Sequence, residues 1–422
     1  MILFICFLLV TIIFNYYRQN SSPTNRPLLL VMYISTVYYA IAGPLYWTQV
    51  EQGYFLDVLW GDEIVSAAAM MIAYSVLYGF FISFRFFKPK TIEISLRTPS
   101  NVPFWIFFAV AIVSILYVVF KGVLSGGLNR ADPLILIAYQ FSDLFIPLLL
   151  YSIAMKRLSV FNVSCLVGFT IYAVLVGFRY KLVLLYFPII LLLLGERITT
   201  FRQLKRRAYA ISFAVFVLSL FALMTLTRQK FSGVDLGQLS GVGLDDAVYG
   251  LFAESNIIFG LLGVLSQFVD TGNYIFFEPV VDSVLELVPR FILTQRSTGT
   301  YLMTGAQGLI SEQAIQSGTA YPYFAEFLAM GGHLAAIVGI FLYSQLYHRY
   351  TWLCKIAGGV RLDYFTVGLG ILSVFFGYYN FSRGYLPQSV KGFLFVVLPY
   401  FYLISRHYRK SSNRFVFGTE VR

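Results

Sequence analysis

The sequence predicts an all-α polytopic integral membrane protein: a helical bundle of about 11 transmembrane helices, with one long outer loop that contains short helices. Three observations support this fold class. Of the 422 residues, 58% are hydrophobic and only 12% are charged, whereas soluble domains carry roughly twice that share of charge. Apolar stretches recur along the chain at the length that a helix needs to cross a bilayer. Aromatic residues form 18% of the chain, and such rings favour lipid-facing surfaces and membrane–water interfaces.

Eleven apolar segments are predicted to span the membrane: residues 1–17, 28–47, 63–84, 102–120, 134–155, 159–177, 180–195, 208–226, 329–347, 362–380 and 389–405. The first lacks the basic start and small-residue cleavage site of a signal peptide, so it is kept as a span. The predicted organisation is a first membrane bundle of about 8 spans over 1–226, a long loop over 227–328, and the last three spans with a basic tail over 329–422.

The basic residues predict the orientation. Of 31 Lys and Arg residues, 21 lie in one alternating set of connections and ten in the other. By the positive-inside rule the richer set is cytoplasmic, so the N-terminus is predicted outside and the C-terminus inside. The long loop, from Thr227 to about Leu328, is then outside. Its apolar stretches, Ile257 to Val269 and Phe276 to Leu293, are too short to span comfortably and are predicted to form interfacial or re-entrant helices.

The sequence lacks the motifs of several enzyme classes. It contains no Walker loop, HExxH, CxxC or GxSxG, and its three cysteines lie far apart without metal-ligand spacing. No metal site and no cofactor are therefore predicted. The net charge of +11 is explained by cytoplasmic loops, so nucleic acid is not predicted as a partner.

Basic residues on the outer side oppose the orientation bias and therefore need a reason. Arg179 and Lys181 lie in a connection of about five residues, and Arg383 lies in a short outer turn. Arginine suits diphosphate because its planar fork donates paired hydrogen bonds and stays protonated. Arg290 and Arg296, in the long loop, are further candidates for substrate binding. The alternative for each is an interfacial contact with lipid phosphates.

Two acids and a histidine complete the predicted site. Asp143 lies in the middle of the fifth span, four residues before Pro147, and predicts a polar opening in the bundle or a hydrogen bond to a neighbouring helix. Glu326 lies where the long loop meets the ninth span and is the candidate general base. His333 follows seven residues later, on the same predicted helical face. His333 and Glu312 are the next candidates for the base.

The chain resembles the Wzy-type O-antigen and oligosaccharide repeat-unit polymerases. Four stretches carry the resemblance: LVGFRYKLVLL around Arg179, ELVPRFILTQRSTGT in the long loop, YFAEFLAMGGHLAAIVG around Glu326, and YYNFSRGYLPQSV around Arg383. The resemblance implies a metal-independent glycosyltransferase of the bacterial inner membrane, whose long outer loop is periplasmic. Its donor and acceptor would be oligosaccharides on undecaprenyl diphosphate. A chain-length regulator and a flippase are further partners that it suggests.

The resemblance implies roles for the candidate residues. Arg179 and Arg383, with Glu326 as base, would be catalytic, and Arg290, Arg296, Lys181, Asp143 and His333 would bind substrate. Three other functions fit parts of the sequence: an O-antigen ligase, a lipid-linked glycan flippase or other transporter, and a structural partner of an envelope complex. A flippase needs charged residues along a cavity through both leaflets, and a structural partner needs neither Arg179 nor Arg383.

Overall fold

The computed structural model describes these residues: 2–47, 61–84, 94–96, 101–123, 132–156, 159–176, 179–194, 208, 211–212, 215–216, 252, 255, 257–285, 287–288, 321–358, 361–382 and 386–410. Among the site predictions, Arg290, Arg296, Glu312 and Arg383 lie outside these residues, and Arg179 is described by its backbone alone.

The described helices are named in chain order. They are α1 (Ile2–Asn20), α2 (Arg26–Val37), α3 (Gly43–Trp47), α4 (Gly61–Ser83), α5 (Val102–Val118), α6 (Pro133–Ser142), α7 (Phe145–Lys156), α8 (Val160–Val176), α9 (Arg179–Leu194), α10 (Ile257–Val264), α11 (Glu278–Leu285), α12 (Tyr323–Gly358), α13 (Leu362–Val374), α14 (Asn380–Ser382), α15 (Leu386–Gly392) and α16 (Leu398–Ser405). Five-residue π-helical segments follow some of them: Tyr38–Ala42, Val119–Val123, Leu265–Val269, Phe375–Tyr379 and Phe393–Val397.

The predicted all-α, multi-pass membrane fold is confirmed. Within the described ranges, eight helical segments are long and apolar enough to cross a membrane: Ile2–Asn20, Arg26–Trp47, Glu63–Ser83, Val102–Lys121, Leu134–Lys156, Tyr323–Ile356, Leu362–Tyr379 and Leu386–Ser405. The predicted spans 159–177 and 180–195 correspond to shorter apolar helices, Val160–Val176 and Tyr180–Leu193. Most of the predicted span 208–226 lies outside the described residues, so the count of about 11 stays a prediction.

The chain forms two compact units, and each combines three separate stretches. Unit 1 contains Met1–Phe84, Leu218–His348 and Leu372–Phe393, and unit 2 contains Arg85–Val217, Arg349–Ile371 and Leu394–Arg422. The predicted organisation into 1–226, 227–328 and 329–422 follows the order of the chain, and it stays a prediction.

In unit 1, helices α1, α2 and α4 pack against one another. Polar side chains tie their ends: the Asn25 amide donates to the Ile82 carbonyl at 2.7 Å, and the Tyr347 hydroxyl donates to the Thr24 carbonyl at 3.0 Å. Helix α1 exposes several large apolar side chains, among them Ile2, Phe4 and Ile12. A large exposed apolar surface on a multi-helix chain indicates contact with lipid.

In unit 2, α5 packs against α6, and α7 packs against α9 and α16. Helix α6 begins where Asp132 accepts a hydrogen bond from the Leu134 N–H at 2.8 Å, with Pro133 in its first turn, and both residue types favour a helix start. Strands β1 (Ile94–Leu96) and β2 (Tyr408–Lys410) pair antiparallel, with Ser95 opposite Arg409.

A turn at Asp143–Leu144 interrupts the predicted fifth span between α6 and α7. Pro147 has no N–H, so it cannot donate to the Asp143 carbonyl as an unbroken helix requires. That carbonyl instead accepts a hydrogen bond from the Ile146 N–H at 3.2 Å. The loss of the ordinary helical partner, predicted from Pro147, is confirmed.

Helix α12 is broken at Gly331–Gly332. Gly332 has φ 69°, a left-handed backbone that favours glycine, and a Cβ there would lie 2.9 Å from the Tyr274 hydroxyl. The break removes the helical partner of the Ala329 carbonyl, which accepts a hydrogen bond from the Ile275 N–H at 3.0 Å instead. The turn around Tyr274 therefore docks on α12 where this helix is broken.

Candidate functional site

Glu326 is a buried carboxylate in the first part of α12, before the break. It is only 2% exposed. Its Oε2 accepts a hydrogen bond from the backbone N–H of Leu386, the first residue of α15. The first N–H groups of a helix have no partner inside that helix, and the positive end of the helix dipole lies there. The start of α15 therefore holds the Glu326 carboxylate in a fixed position within unit 1.

Aromatic side chains surround this carboxylate. Tyr343 lies within electrostatic reach of Glu326, and its ring centroid is 5.7 Å from that of Phe327 and 5.9 Å from that of Tyr323. Tyr321 precedes α12, and its burial, together with the charge of Glu326, raises its pKa. The Tyr321 hydroxyl therefore stays protonated at neutral pH and keeps its ability to donate a hydrogen bond.

Buried polar groups lie on the elements that flank Glu326. Asn380 opens α14 and is fully buried. Within the part of the chain that the structure describes, neither Asn380 amide atom has a hydrogen-bond partner, and the same holds for the Tyr323 hydroxyl. The Tyr323 ring lies 6.2 Å from that of Phe381, the residue after Asn380. Because buried polar groups are normally hydrogen-bonded, these donors and acceptors suit a ligand that carries hydroxyl groups.

The hydrogen bond between Glu326 and Leu386 also limits how far the Arg383 backbone can lie from Glu326. The Arg383 side chain lies outside the described residues. Arg383 precedes Leu386 by three residues, so covalent geometry keeps their Cα atoms within about 11 Å of each other. The two sequence stretches predicted to hold the base and an arginine are thus brought together in unit 1. Arg290 and Arg296 cannot be placed, and the backbone of Arg179 begins α9 in unit 2.

The prediction that Glu326 and His333 share one helical face is wrong. The break at Gly331–Gly332 separates them, so the spacing of seven residues no longer corresponds to two turns of one helix. Glu326 is buried, whereas His333 is exposed. His333 pairs with Tyr74 instead, with 2.7 Å between its Nδ1 and the tyrosine hydroxyl. Gly331 and Gly332 have the non-helical backbone angles that form this break.

Asp143 and Lys181 form a buried ion pair in unit 2. The Lys181 Nζ lies 2.7 Å from Asp143 Oδ1, and Lys181 is 0% exposed. The ammonium also donates to Ser142 Oγ at 2.9 Å and lies 3.8 Å from the centre of the Tyr139 ring. These contacts together compensate the cost of removing the charge from water.

Tyrosine hydroxyls extend this ion pair into a network. The Tyr180 hydroxyl donates to Asp143 Oδ2 at 3.3 Å and lies 2.7 Å from the Tyr139 hydroxyl. The Tyr172 hydroxyl donates to Ser142 Oγ at 2.8 Å. Helices α6, α8 and α9 are therefore joined by polar contacts at the turn between α6 and α7.

The ion pair changes the predicted positions of both residues. Lys181 was expected in the connection between two spans, but it lies inside α9 and is buried. Of the two alternatives for Asp143, the structure shows the bond to neighbouring side chains rather than a polar opening. Lys181 already bonds to Asp143 and Ser142, so in this arrangement its charge is directed into the bundle and not toward a ligand.

Asp282 is a buried acid that the sequence analysis did not select. It lies on α11, which packs against α15, and it is 4% exposed. Its stretch was interpreted only as apolar, Phe276 to Leu293. A signal was present, because Pro279, Asp282 and Ser283 follow the spacing of one helical face and all three are buried. Two buried acids thus belong to helices that contact α15: Glu326 on α12 and Asp282 on α11.

Potential metal-ligand side chains are dispersed over the described residues. Over the described ranges, no three His, Cys, Asp or Glu side chains come together closely enough to hold a metal ion. Ion pairs within the described ranges include Asp143–Lys181 and Arg361–Asp363, the latter near the start of α13.

The fold and the apolar helices define a class: the chain is a multi-pass α-helical membrane protein. No known protein family, no curated protein and no solved structure matches it.

Proposed function

We propose that the chain polymerises undecaprenyl-diphosphate-linked oligosaccharide repeat units into O-antigen or capsular polysaccharide at the outer face of the bacterial inner membrane. The observation that carries this proposal is the buried Glu326 carboxylate, which accepts a hydrogen bond from the N–H of Leu386, three residues after Arg383 in the sequence. A carboxylate close to an arginine-bearing segment matches the chemistry of glycosyl transfer from a lipid diphosphate. The sequence resemblance to repeat-unit polymerases supports the same assignment.

In the proposed reaction, a hydroxyl oxygen of the lipid-linked acceptor attacks the anomeric carbon of the donor. The bond from that carbon to the diphosphate oxygen breaks, and the lipid diphosphate leaves with the electron pair. Glu326 accepts the hydroxyl proton as general base. Arg383 stabilises the charge that develops on the diphosphate, and the sequence resemblance implies the same role for Arg179 and substrate binding for Arg290 and Arg296. The Asn380 amide and the Tyr323 hydroxyl are suited to hydrogen-bond the sugar.

This reaction requires a particular topology. The proposed N-terminus is outside and the C-terminus inside, which brings the loop over 227–328 and the Arg383 turn to the outer face. A chain-length regulator and a flippase that delivers the repeat unit are the proposed protein partners. An O-antigen ligase would use the same chemistry with another acceptor and is the first alternative.

One observation favours a second candidate, a lipid-linked glycan flippase or other transporter. Asp143 and Lys181 are ionisable residues buried within apolar helices, and such residues often mark transport pathways. Against it, Lys181 bonds to Asp143 and Ser142 inside unit 2. The polymerase assignment therefore explains more of the described site.

The decisive variant is Glu326→Gln in purified protein reconstituted with a lipid-linked repeat unit. The glutamine oxygen can still accept the Leu386 N–H, but it is a far weaker proton acceptor. Chain extension should fall by roughly two to four orders of magnitude, while binding of the lipid-linked donor is retained. Glu278→Gln, at an exposed acid of α11, is the matched control and should extend chains normally.

The outcomes separate the candidate roles. Normal extension by Glu326→Gln would remove Glu326 as the base, and loss of donor binding would make it a structural residue. Surface polysaccharide from cells without the protein distinguishes the functions. A single repeat unit on lipid A without a ladder indicates a polymerase, whereas loss of all glycan on lipid A indicates a ligase or a flippase.

A further inference from the structure

Helix α11 buries polar side chains and exposes apolar ones, the reverse of a surface helix in a soluble protein. The side chains that it buries are Pro279, Asp282 and Ser283. Its exposed side is apolar and continues into the preceding turn; this α11 apolar face consists of Phe276, Phe277, Val280, Val281 and Val284. The two phenylalanines are 64% and 73% exposed, and Val284 is 62% exposed.

The spacing shows that this exposure is a property of the whole helix. Phe277, Val280, Val281 and Val284 follow an i, i+3, i+4, i+7 pattern, which places them along one side. In water, such a stripe would be expected against the protein core, with Asp282 and Ser283 outside. The structure has the reverse, and α11 packs against α15. The medium on the outer side of α11 must therefore favour valine and phenylalanine over aspartate.

The turn before α11 contacts α12, and α12 also exposes apolar side chains. The turn before α11 is docked on α12 by the Ile275 N–H, which donates to the Ala329 carbonyl. Directly after the break, Leu334, Val338 and Leu342 form an exposed stripe at a spacing of four residues. This stripe belongs to a helix that is apolar and long enough to cross a membrane. Large apolar side chains are thus exposed both on α11 with its preceding turn and on the part of α12 that follows the break.

We propose that the α11 apolar face is inserted among the hydrocarbon chains of the bilayer. Its eight residues are too few to cross, so α11 lies along one membrane interface. Glu278 is exposed at its first turn and Asn273 is exposed in the preceding turn, and both remain at the headgroup or aqueous level. This inference holds whichever reaction the protein catalyses.

The test measures what surrounds single nitroxide labels on the full-length protein in phosphatidylethanolamine and phosphatidylglycerol vesicles. Cys6, Cys165 and Cys354 are first replaced by alanine. Labels are then attached at Val281→Cys and Val284→Cys on the α11 apolar face. Asn273→Cys is the control for an aqueous position, and Ser283→Cys, on the buried side, is the control for the protein interior. Collisions with oxygen, which concentrates in lipid, are compared with collisions with a water-soluble nickel chelate.

We expect the ratio of oxygen to nickel collisions at Val281→Cys and Val284→Cys to be several-fold higher than at Asn273→Cys. Ser283→Cys should show few collisions with either reagent. Frequent nickel collisions at both valine positions would place this face in water and overturn the proposal. Few collisions with either reagent at both positions would mean that protein covers the face, either another part of this chain or a second copy, and would overturn it equally. Two valine positions keep the result decisive if one variant fails to fold.

Discussion

The Lys181 ammonium lies 2.7 Å from the Asp143 carboxylate, although the two residues are 38 positions apart in the sequence and both lie in apolar segments. The pair connects α9 to the turn between α6 and α7. Removing one partner of a buried pair leaves the other charge uncompensated, and this is far more costly than removing both.

Asp143→Asn should therefore destabilise the protein by about 3–5 kcal/mol. The measurement is thermal unfolding of the purified protein in detergent. The double variant Asp143→Leu with Lys181→Met should recover most of the loss, because two apolar side chains replace the two charges. Asp132→Asn is the matched control, since asparagine also caps a helix start, and it should unfold as the natural protein does. An unchanged unfolding temperature for Asp143→Asn would show that the ion pair contributes little.

Replacement by alanine should destabilise the protein more at Gly332 than at Gly331, the two glycines at the break in α12. Gly332→Ala places a side chain at φ 69° and ψ −158°, a region that essentially only glycine adopts and that costs about 1–3 kcal/mol, and it brings a Cβ within 2.9 Å of the Tyr274 hydroxyl. Gly331 has φ −175°, which any residue adopts, so Gly331→Ala should cost less. Thermal unfolding of both variants tests the difference. Tyr274→Phe in the Gly332→Ala background should recover part of the loss, and equal costs at both glycines would contradict the strained geometry at Gly332.

The spans could be predicted from sequence because each depends on local composition. A run of about 20 apolar residues forms a helix in lipid whatever its neighbours are. The turn at Asp143 was also predictable, since Pro147 removes a defined backbone donor. These features need no knowledge of which helices pack together.

The site was less predictable because it depends on contacts between distant parts of the chain. Lys181 and Asp143 were both selected, but nothing in their local sequences indicates that they bond to each other. The Glu326 contact joins residues separated by sixty positions. The double glycine could mean either close packing or a break, and the positive φ of Gly332 decides between them. Asp282 was missed because its neighbours made the whole stretch appear apolar.

His407 should make stability depend on pH. It follows the last span, and its Nε2 lies 2.8 Å from the Tyr151 hydroxyl, with the Tyr364 ring centroid 5.4 Å away. Burial lowers the pKa of His407 below its usual value of about 6.5. Between the folded and unfolded pKa values the unfolded chain binds more protons, so His407 contributes stability above about pH 6.5 that is lost as the pH falls toward the folded pKa.

His407→Gln should reduce the difference in unfolding temperature between about pH 7.5 and about pH 5.5. The glutamine cannot titrate but can still hydrogen-bond to Tyr151. The same pH dependence in His407→Gln as in the natural protein would assign it to other groups.

The orientation in the membrane is a separate prediction. The distribution of basic residues, 21 against 10, predicts that Gln203 is cytoplasmic and that Gln238 is outside. Reporter enzymes fused at these two positions, one active only in the cytoplasm and one only outside, should give opposite signals. The same compartment at both positions would contradict the span predicted over 208–226.

Arg383→Lys tests whether activity depends on the planar guanidinium of Arg383 or only on its positive charge. If Arg383 binds a diphosphate, lysine keeps the charge but loses the paired donors of the planar fork, so most activity should be lost while the protein still accumulates. Arg383→Gln, which also removes the charge, should lose more. Both variants are measured by the repeat-unit ladder and, with purified protein, by KM for the lipid-linked donor. Neither variant changes the Leu386 backbone N–H, whose hydrogen bond Glu326 accepts. Equal activity of the natural protein and Arg383→Lys would show that only a positive charge is needed at this position, for example to bind lipid phosphates.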